Sequence, residues 1–204
     1  VNKQIPYKYR SFNYCPSCAT ELQYIVLEGY RRKKCPNCGF IHWGDYSLGV
    51  GGVILKNNKG LLIQRAHEPG RGKWTIPGGF VNSDEKISEA IVREIQEETG
   101  ITAEPVSIIA VRDRPKDIPE QRHDIYIVFL LKYLAGELKP DPTEVMNAGF
   151  FSPEQYRELD IAPLSLQVVS KALAYQKQEI ENPGFILEQN IPLSGKLSEL
   201  YILP

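Results

Sequence analysis

The sequence predicts an α/β protein preceded by a small metal-stabilised module, and three observations predict it. All four cysteines lie in two Cys-x-x-Cys pairs near the N-terminus. Four apolar, β-branched runs of strand length follow, at 48–55, 61–65, 106–112 and 124–133. Two stretches of helical period, 83–99 and 163–180, interleave with these runs and follow them.

Residues 1–11 are polar and basic with tyrosines, and read as an arm or an entry strand. Cys15-Pro-Ser-Cys18 and Cys35-Pro-Asn-Cys38 are separated by sixteen residues. This is the spacing of a four-thiolate zinc ribbon, in which two tight knuckles each give a pair of sulfurs to one tetrahedral ion. Two disulfides are the other reading, but they suit a secreted peptide, and no cationic segment leads into an apolar run at the N-terminus. With Cys15, Cys18, Cys35 and Cys38 filling all four positions, the Zn²⁺ is structural, and it supplies stability that so small a module lacks in its apolar core. Residues 21–27 alternate loosely as a strand before the run Arg31-Arg32-Lys33-Lys34. That run admits phosphate contacts to nucleic acid. A solvated strand end is the preferred reading, because 24 Lys and Arg against 25 Asp and Glu suggest no wider basic surface.

The larger domain begins near Ser47, where the run 48–55 is a buried strand whose glycines allow close backbone approach. Residues 56–60, Lys-Asn-Asn-Lys-Gly, form a hairpin turn, 61–65 return as the next strand, and 66–73 with Pro69, Gly70 and Gly72 are a loop. Trp74-Thr-Ile-Pro-Gly78-Gly79 leads into the first helix, expected from about Ser83 to Thr99. After the two strands at 106–112 and 124–133 comes a terminal helix from Pro163 to about Ile180. Its stripe, Leu166, Val169, Leu173 and Ile180, reads as core packing.

The first helix is electrostatically odd. At about 100° per residue, Glu94, Glu97 and Glu98 point within a sector of roughly 100°. Glu94 and Glu98 form a like-charge i, i+4 pair. Glu97 and Glu98 also occupy the last turn before Gly100, the C-cap, where the helix dipole favours cations. Arg93 alone cannot neutralise three acids, and carboxylate oxygens suit Mg²⁺ or Mn²⁺; the alternative is a solvated acidic face. The complete spacing favours the metal. Gly79, five residues, Glu85, seven residues, then Arg93-Glu94-Ile95-Gln96-Glu97-Glu98-Thr99-Gly100-Ile101 fill every defining position of the Nudix hydrolase signature, and the chain resembles that family.

The resemblance implies a Nudix-type α/β/α sandwich with a mixed sheet, preceded by the zinc ribbon. It implies an enzyme that splits a nucleoside diphosphate linked to another group, using water and divalent cations. Glu94, Glu97, Glu98 and the Gly79 carbonyl are then the ligands of Mg²⁺ or Mn²⁺, and Glu94 or Glu144 the base. Glu144 lies in Asp141-Pro-Thr-Glu144-Val145 ahead of Gly149-Phe-Phe151, which resembles the family's Glu-Val, spacer and aromatic strand. Arg93 and Glu85 are read as an orienting pair, or else a surface ion pair. The cationic, proline-stiffened loop 113–123 offers Arg112, Arg114 and Lys116 as phosphate donors, unless it is an ordinary exposed hairpin loop. Arg65, at the end of its strand, is a further substrate contact. Tyr126, Phe150 or Tyr156 is placed to stack on adenine, each also being a natural core aromatic.

A ribbon ahead of a Nudix domain resembles NADH pyrophosphatases, but the Ser-Gln-Pro-Trp array that those carry downstream is missing. Both tryptophans, Trp43 and Trp74, precede Gly79. ADP-ribose or FAD, cleaved to release AMP, is therefore expected ahead of NADH or NAD. A non-catalytic nucleotide sensor whose ribbon binds a partner is the alternative from another class. The expected organisation is arm and ribbon over 1–44, Nudix domain over 45–182 and a C-terminal tail over 183–204. The tail's apolar end is expected to dock on the domain or on a neighbouring subunit of a homodimer. No apolar stretch approaches ~20 residues. A cytoplasmic protein without membrane contact is expected, acting on a small nucleotide, with nucleic acid not among its expected partners.

Overall fold

The computed structural model describes residues 12–115, 122–177, 186–193 and 196–202. They fall into two compact units, one drawn from 1–47 and 115–123, the other from 48–114 and 124–204. Lys116, residues 1–11 and Ile180 lie outside the described residues.

The first unit holds a three-stranded antiparallel sheet, β1 (Gln23–Leu27), β2 (Tyr30–Lys34) and β3 (Ile41–His42), in that order. Its two cysteine knuckles repeat one hydrogen-bond pattern. Cys15 N–H donates to the Thr20 carbonyl and Cys35 N–H to the Phe40 carbonyl, both at 2.8 Å. Ala19 N–H returns to Cys15 at 2.9 Å and Gly39 N–H to Cys35 at 3.1 Å, with φ of 56° and 78° at Ala19 and Gly39. All four thiols are free, and their sulfurs lie within 4.8 Å of one another. Buried Cys15, Cys35 and Leu22, with Cys18 and Phe40 against them, are the unit's whole apolar cluster among the described residues.

In the second unit, β4 (Tyr46–Lys56) turns through Asn57 and Asn58, both at positive φ, into β5 (Lys59–Arg65), a two-residue hairpin of the primed type. Short β6 (Trp74–Thr75) pairs with β5, and β7 (Gly78–Phe80) pairs with β4. Helix α1 (Ile87–Thr99) follows, then the long hairpin of β8 (Thr102–Arg114) and β9 (His123–Ala135). Next come β10 (Val145–Phe151), a 3₁₀ turn at Gln155–Glu158, and α2 (Pro163–Gln176). The last hairpin is β11 (Ile186–Leu193) and β12 (Lys196–Ile202). The sheet order is β10-β5-β4-β9-β8-β12-β11. Pairs along β4 and β9 advance together, His123 N–H donating to the Asp45 carbonyl while Gly49 faces Tyr126 and Gly52 faces Leu131. These two strands therefore run parallel in an otherwise antiparallel order, and the sheet is mixed.

Strand alternation sends neighbouring residues into opposite cores. Val53, Leu62 and Val128 join Leu164, Val168, Val169, Ala172 and Leu173 of α2. Ile54, Leu61 and Phe129 join Ala90, Ile91 and Ile95 of α1. The result is the expected α/β/α sandwich. Gly52 lets α1 settle closely, since a Cβ there would stand 2.7 Å from Leu131 Cδ1 and 2.9 Å from Ile95 Cδ1.

Four expectations need correction. Helix α1 starts at Ile87 rather than Ser83, because residues 82–85 form a turn in which Asn82 N–H donates to Glu85 Oε1 at 2.7 Å. The buried stripe of α2 runs 164-168-169-172-173, and Leu166 is exposed. Strands β8 and β9 extend through Arg114 and from His123, so the ends of the expected loop 113–123 are strand. The segment read as a loop-rich tail is a hairpin. Its β12 pairs with β8, Ile202 opposite Ala110, and Ile202 is buried in the α2-side core of its own chain. No helix of the described residues is long and apolar enough to cross a membrane.

Candidate active site

The acid face of α1 meets the glycine pair of β7. Pairing of Gly51 with Gly78 and Val50 with Gly79 fixes β7 on β4, and Gly78 N–H donates to Glu98 Oε2 at 2.7 Å. Neither glycine tolerates a side chain. Gly78 has φ +148°, and a Cβ on it would lie 2.1 Å from the Val50 carbonyl oxygen; one on Gly79 would lie 2.4 Å from Glu94 Oε1. The glycine turn is thus in contact, through its backbone, with the carboxylates of α1.

Arg93 ties the helix to that turn. Its Nε and Nη2 donate to Glu85 at 3.0 and 2.7 Å, Nη1 to Glu94 Oε1 at 2.8 Å and Glu97 Oε2 at 3.0 Å, and Nη2 to the Phe80 carbonyl at 3.2 Å. The guanidinium pulls Glu85 down to about 2. Arg93 and Glu85 are therefore a bidentate pair that locks the 82–86 turn against α1.

Glu94, Glu98 and Glu144 line one cavity of about 370 Å³, together with Arg65, His67, Gly78, Gly79, Phe80, Asn82 and Arg93. Burial pushes Glu98 up to about 8, against the Gly78 N–H, and the Glu94 and Glu144 charges add to the rise. Burial also raises Glu94, opposed by Arg93. Glu97 differs from its partners: its side chain is 57% exposed, bound to Arg93, and absent from the cavity lining. Among the described residues only the four cysteines gather ligand atoms within 4.8 Å of one another, so the glutamates stand around the cavity wall. Three acids around one cavity, one of them buried and repelled by the other two, form an oxygen-rich donor set with an electrostatic deficit that suits a hard divalent cation.

The deficit has a sign that can be measured. Folded Glu98 holds its proton more tightly than the unfolded chain does, so stability falls as pH rises from 4.5 to about 8. In Mg²⁺-free buffer with zinc retained, the melting temperature is expected to drop by about 5–10 °C across that window. Millimolar Mg²⁺ is expected to restore most of it, and a melting temperature that rises with pH there would contradict the burial of a charged Glu98.

A second cleft of about 370 Å³ shares Arg65, Gly78, Gly79 and Phe80 with the first, and adds Arg112, Arg114, Asp124 and Tyr126. Asp124 Oδ2 accepts from both Arg112 and Arg114, the latter at 3.2 Å, which holds the two guanidinium groups together at the wall. The Tyr126 ring is covered by Arg112, whose guanidinium carbon lies 4.9 Å from its centroid, and by the glycines of β4. Phe150 packs in the α1-side core and Tyr156 in the α2-side core, so neither reaches the cleft. Phe80, 67% exposed, is the ring with an open face. Sequence reasoning missed Phe80, His67 and Asn82. Only the adjacency of Phe80 and Asn82 to the Gly79 turn offered a signal.

With this geometry in hand, comparison with known proteins is direct. The NUDIX domain family matches residues 45–171. An ADP-ribose pyrophosphatase of Methanocaldococcus jannaschii is 45% identical over 105 residues, covering 52% of this chain and 61% of that protein. The NAD-capped RNA hydrolase NudC of Photorhabdus laumondii is 30% identical over 155 residues, 76% of this chain and 56% of that protein. The chain thus spans less than two thirds of the length of these curated relatives. Among solved structures, a NUDIX hydrolase from Nitrosomonas europaea superposes with a TM-score of 0.71 at 26% identity, over 82% of this chain and 93% of that one. The match from β4 into α2, which takes in the whole glycine turn and acidic helix, shows that this chain belongs to the Nudix family.

Proposed function

We propose that this chain hydrolyses the diphosphate linkage of a nucleoside diphosphate joined to a second group, with Mg²⁺ or Mn²⁺ as cofactor. ADP-ribose or FAD is the proposed substrate, releasing AMP and the other phosphate. The observation that carries this reading is the meeting of Glu94, Glu98 and Glu144 on a cavity continuous with the cleft of Arg112 and Arg114. Acids on one side and guanidinium groups on the other suit a diphosphate that brings its own metal-neutralised charge. The ADP-ribose pyrophosphatase relative supports the substrate class.

Glu94, Glu97, Glu98 and the Gly79 carbonyl would hold the metal, which supplies charge neutralisation and an acidified water when bound. Arg93 keeps Glu94 and Glu97 aimed, with Glu85 anchoring its other edge. Glu144 is exposed on the cavity wall and makes no hydrogen bond or ion pair through its carboxylate among the described residues. It is therefore the free acceptor for the proton of the attacking water, whereas Glu94 is engaged by Arg93. Arg65, Arg112 and Arg114 take the phosphates. Phe80 stacks on the base, and Tyr126 backs Arg112.

Zinc on Cys15, Cys18, Cys35 and Cys38 completes the reading, supported by the convergence of four free thiols. Thiols kept reduced suit the cytoplasm, and the outer edge of β11 at the end of the sheet suits a homodimer. The NudC relative, an NAD-capped RNA hydrolase, supports an NAD-type diphosphate, as in NADH or NAD, as the second reading. A product screen over ADP-ribose, FAD, NADH, NAD⁺ and dinucleoside polyphosphates with Mg²⁺ or Mn²⁺ tests the reaction and its substrate. AMP from ADP-ribose or FAD is the expected result. Tight nucleotide binding with no product after long incubation would make the protein a sensor instead.

A further inference from the structure

The cysteine module exposes rings that the proposed reaction does not use, although Phe12 also packs edge-on against His42 and Tyr46 stacks on His123. Phe12, Tyr14, Tyr24, Tyr30, Trp43 and Tyr46 are between 48% and 66% exposed, whereas the described side chains beyond residue 47 expose only Phe80 and Tyr175 among aromatics. So dense a set on so small a module marks an interaction surface.

Cations lie on these rings. Pairing of β1 with β2 sets Tyr24 opposite Lys33 and Val26 opposite Arg31, which places all four on one face. The Arg31 guanidinium carbon is 3.9 Å from the Tyr24 centroid and Lys33 Nζ 5.5 Å. On the opposite face, Arg32 lies 5.5 Å from both Tyr30 and Trp43. None of Arg31, Arg32, Lys33 and Lys34 pairs with an acidic side chain among the described residues; Lys33 and Arg32 donate to the carbonyls of Phe12 and Trp43. Residues 1–47 hold seven cations (Lys3, Lys8, Arg10 and these four) against Glu21, Glu28 and Asp45, and Asp45 is spent on His42. The rest of the chain holds 17 Lys and Arg against 22 Asp and Glu. Whole-chain neutrality, which argued against nucleic acid, conceals this asymmetry, and the module stays positive even with the net charge of about −2 of a zinc tetrathiolate.

Cations without acidic partners among the described residues, stacked on exposed rings, fit a polyanion that carries planar bases: phosphates meet the charge, and bases stack on the guanidinium planes and on the ring faces left uncovered. A duplex hides its base faces, and a protein interface, though it too favours Trp, Tyr and Arg, is depleted in lysine, whereas Lys33 stands over Tyr24 with Lys34 beside it. We propose that the β1–β2 face of this module binds single-stranded nucleic acid, independently of the hydrolytic reaction.

The test titrates the zinc-loaded full chain into each fluorescein-labelled probe and follows the probe's anisotropy, since Trp43 lies on the face opposite Tyr24 and Arg31. The probes are RNA and DNA single strands of about 12 nucleotides and one sequence, the corresponding duplex, and inorganic polyphosphate of matched charge. Anisotropy is expected to rise with the single strands, and whichever binds tighter names the natural source. With three phosphate contacts, affinity is expected to fall about 20-fold between about 50 and about 200 mM salt. Duplex and polyphosphate are expected to bind at least about 10-fold more weakly. Tyr24→Leu with Arg31→Gln is expected to cost about 10-fold in affinity with zinc content and ADP-ribose turnover unchanged; Arg31→Gln alone serves if the pair loses zinc. No rise in anisotropy with either strand at about 100 µM protein in low salt, equal binding of polyphosphate or duplex, or variants that bind like the parent would overturn the proposal and leave the rings to a protein partner.

Discussion

Glu98→Gln is expected to lower kcat by about 10³-fold while the circular dichroism spectrum stays unchanged. The amide oxygen can still accept the Gly78 N–H bond of 2.7 Å, so the turn keeps its seat. What disappears is a charge that burial, Glu94 and Glu144 all disfavour. Above pH 7 the Mg²⁺-free variant is therefore expected to melt higher than the parent, an unusual pairing of lost activity with gained stability. Parental turnover in this variant would end the case for Glu98 at the reacting centre. Glu144→Gln separates the roles further. If Glu144 takes the proton, kcat falls about 100-fold while the Mg²⁺ concentration for half-activity holds; a shift in that concentration with kcat preserved would give the proton to Glu94.

Stripping zinc, by chelation or by Cys35→Ser, is expected to unfold the cysteine module outright. Among the described residues, its buried apolar cluster contains two of the four cysteines themselves and only Leu22 besides. Sulfur–metal bonding supplies on the order of 10 kcal/mol or more to such modules, against almost nothing from apolar burial here. Thermal scans should lose a transition, with release of one Zn²⁺ per chain measured by a colorimetric chelator. The sandwich has two apolar cores of its own and is expected to keep its main transition. Unchanged unfolding after zinc removal would refute the structural role.

The sequence made the acidic helix legible because its chemistry is local: spacing, C-cap and charge pattern all lie within 23 residues, and Gly100 does adopt φ 73°. The knuckles were legible for the same reason. The start of α1 was not, because Glu85 prefers Arg93 and the Asn82 N–H to a helical turn. Phe150 and Tyr156 could not be told from ligand-stacking rings by type, since only strand register and the α2 contact send them inward. Phe80 went unnoticed because its exposure depends on β7 lying at β4. The stretch after residue 182 reads as loop from its Asn, Pro, Gly and Ser, yet its paired backbone and Ile202 make it part of the sheet.

That last hairpin separates two boundaries that are easily taken for one. The NUDIX domain match ends at residue 171, but the folded unit does not. A chain cut there keeps every acid of the catalytic face, shortens α2, which runs to Gln176, and bares the β8 edge from Ala110 to Asp113. Arg112 sits within that edge, opposite Leu200. Truncation at residue 171 would therefore loosen the wall of the second cleft without touching the signature, so the proposed phosphate contact of Arg112 depends on residues beyond the NUDIX domain match.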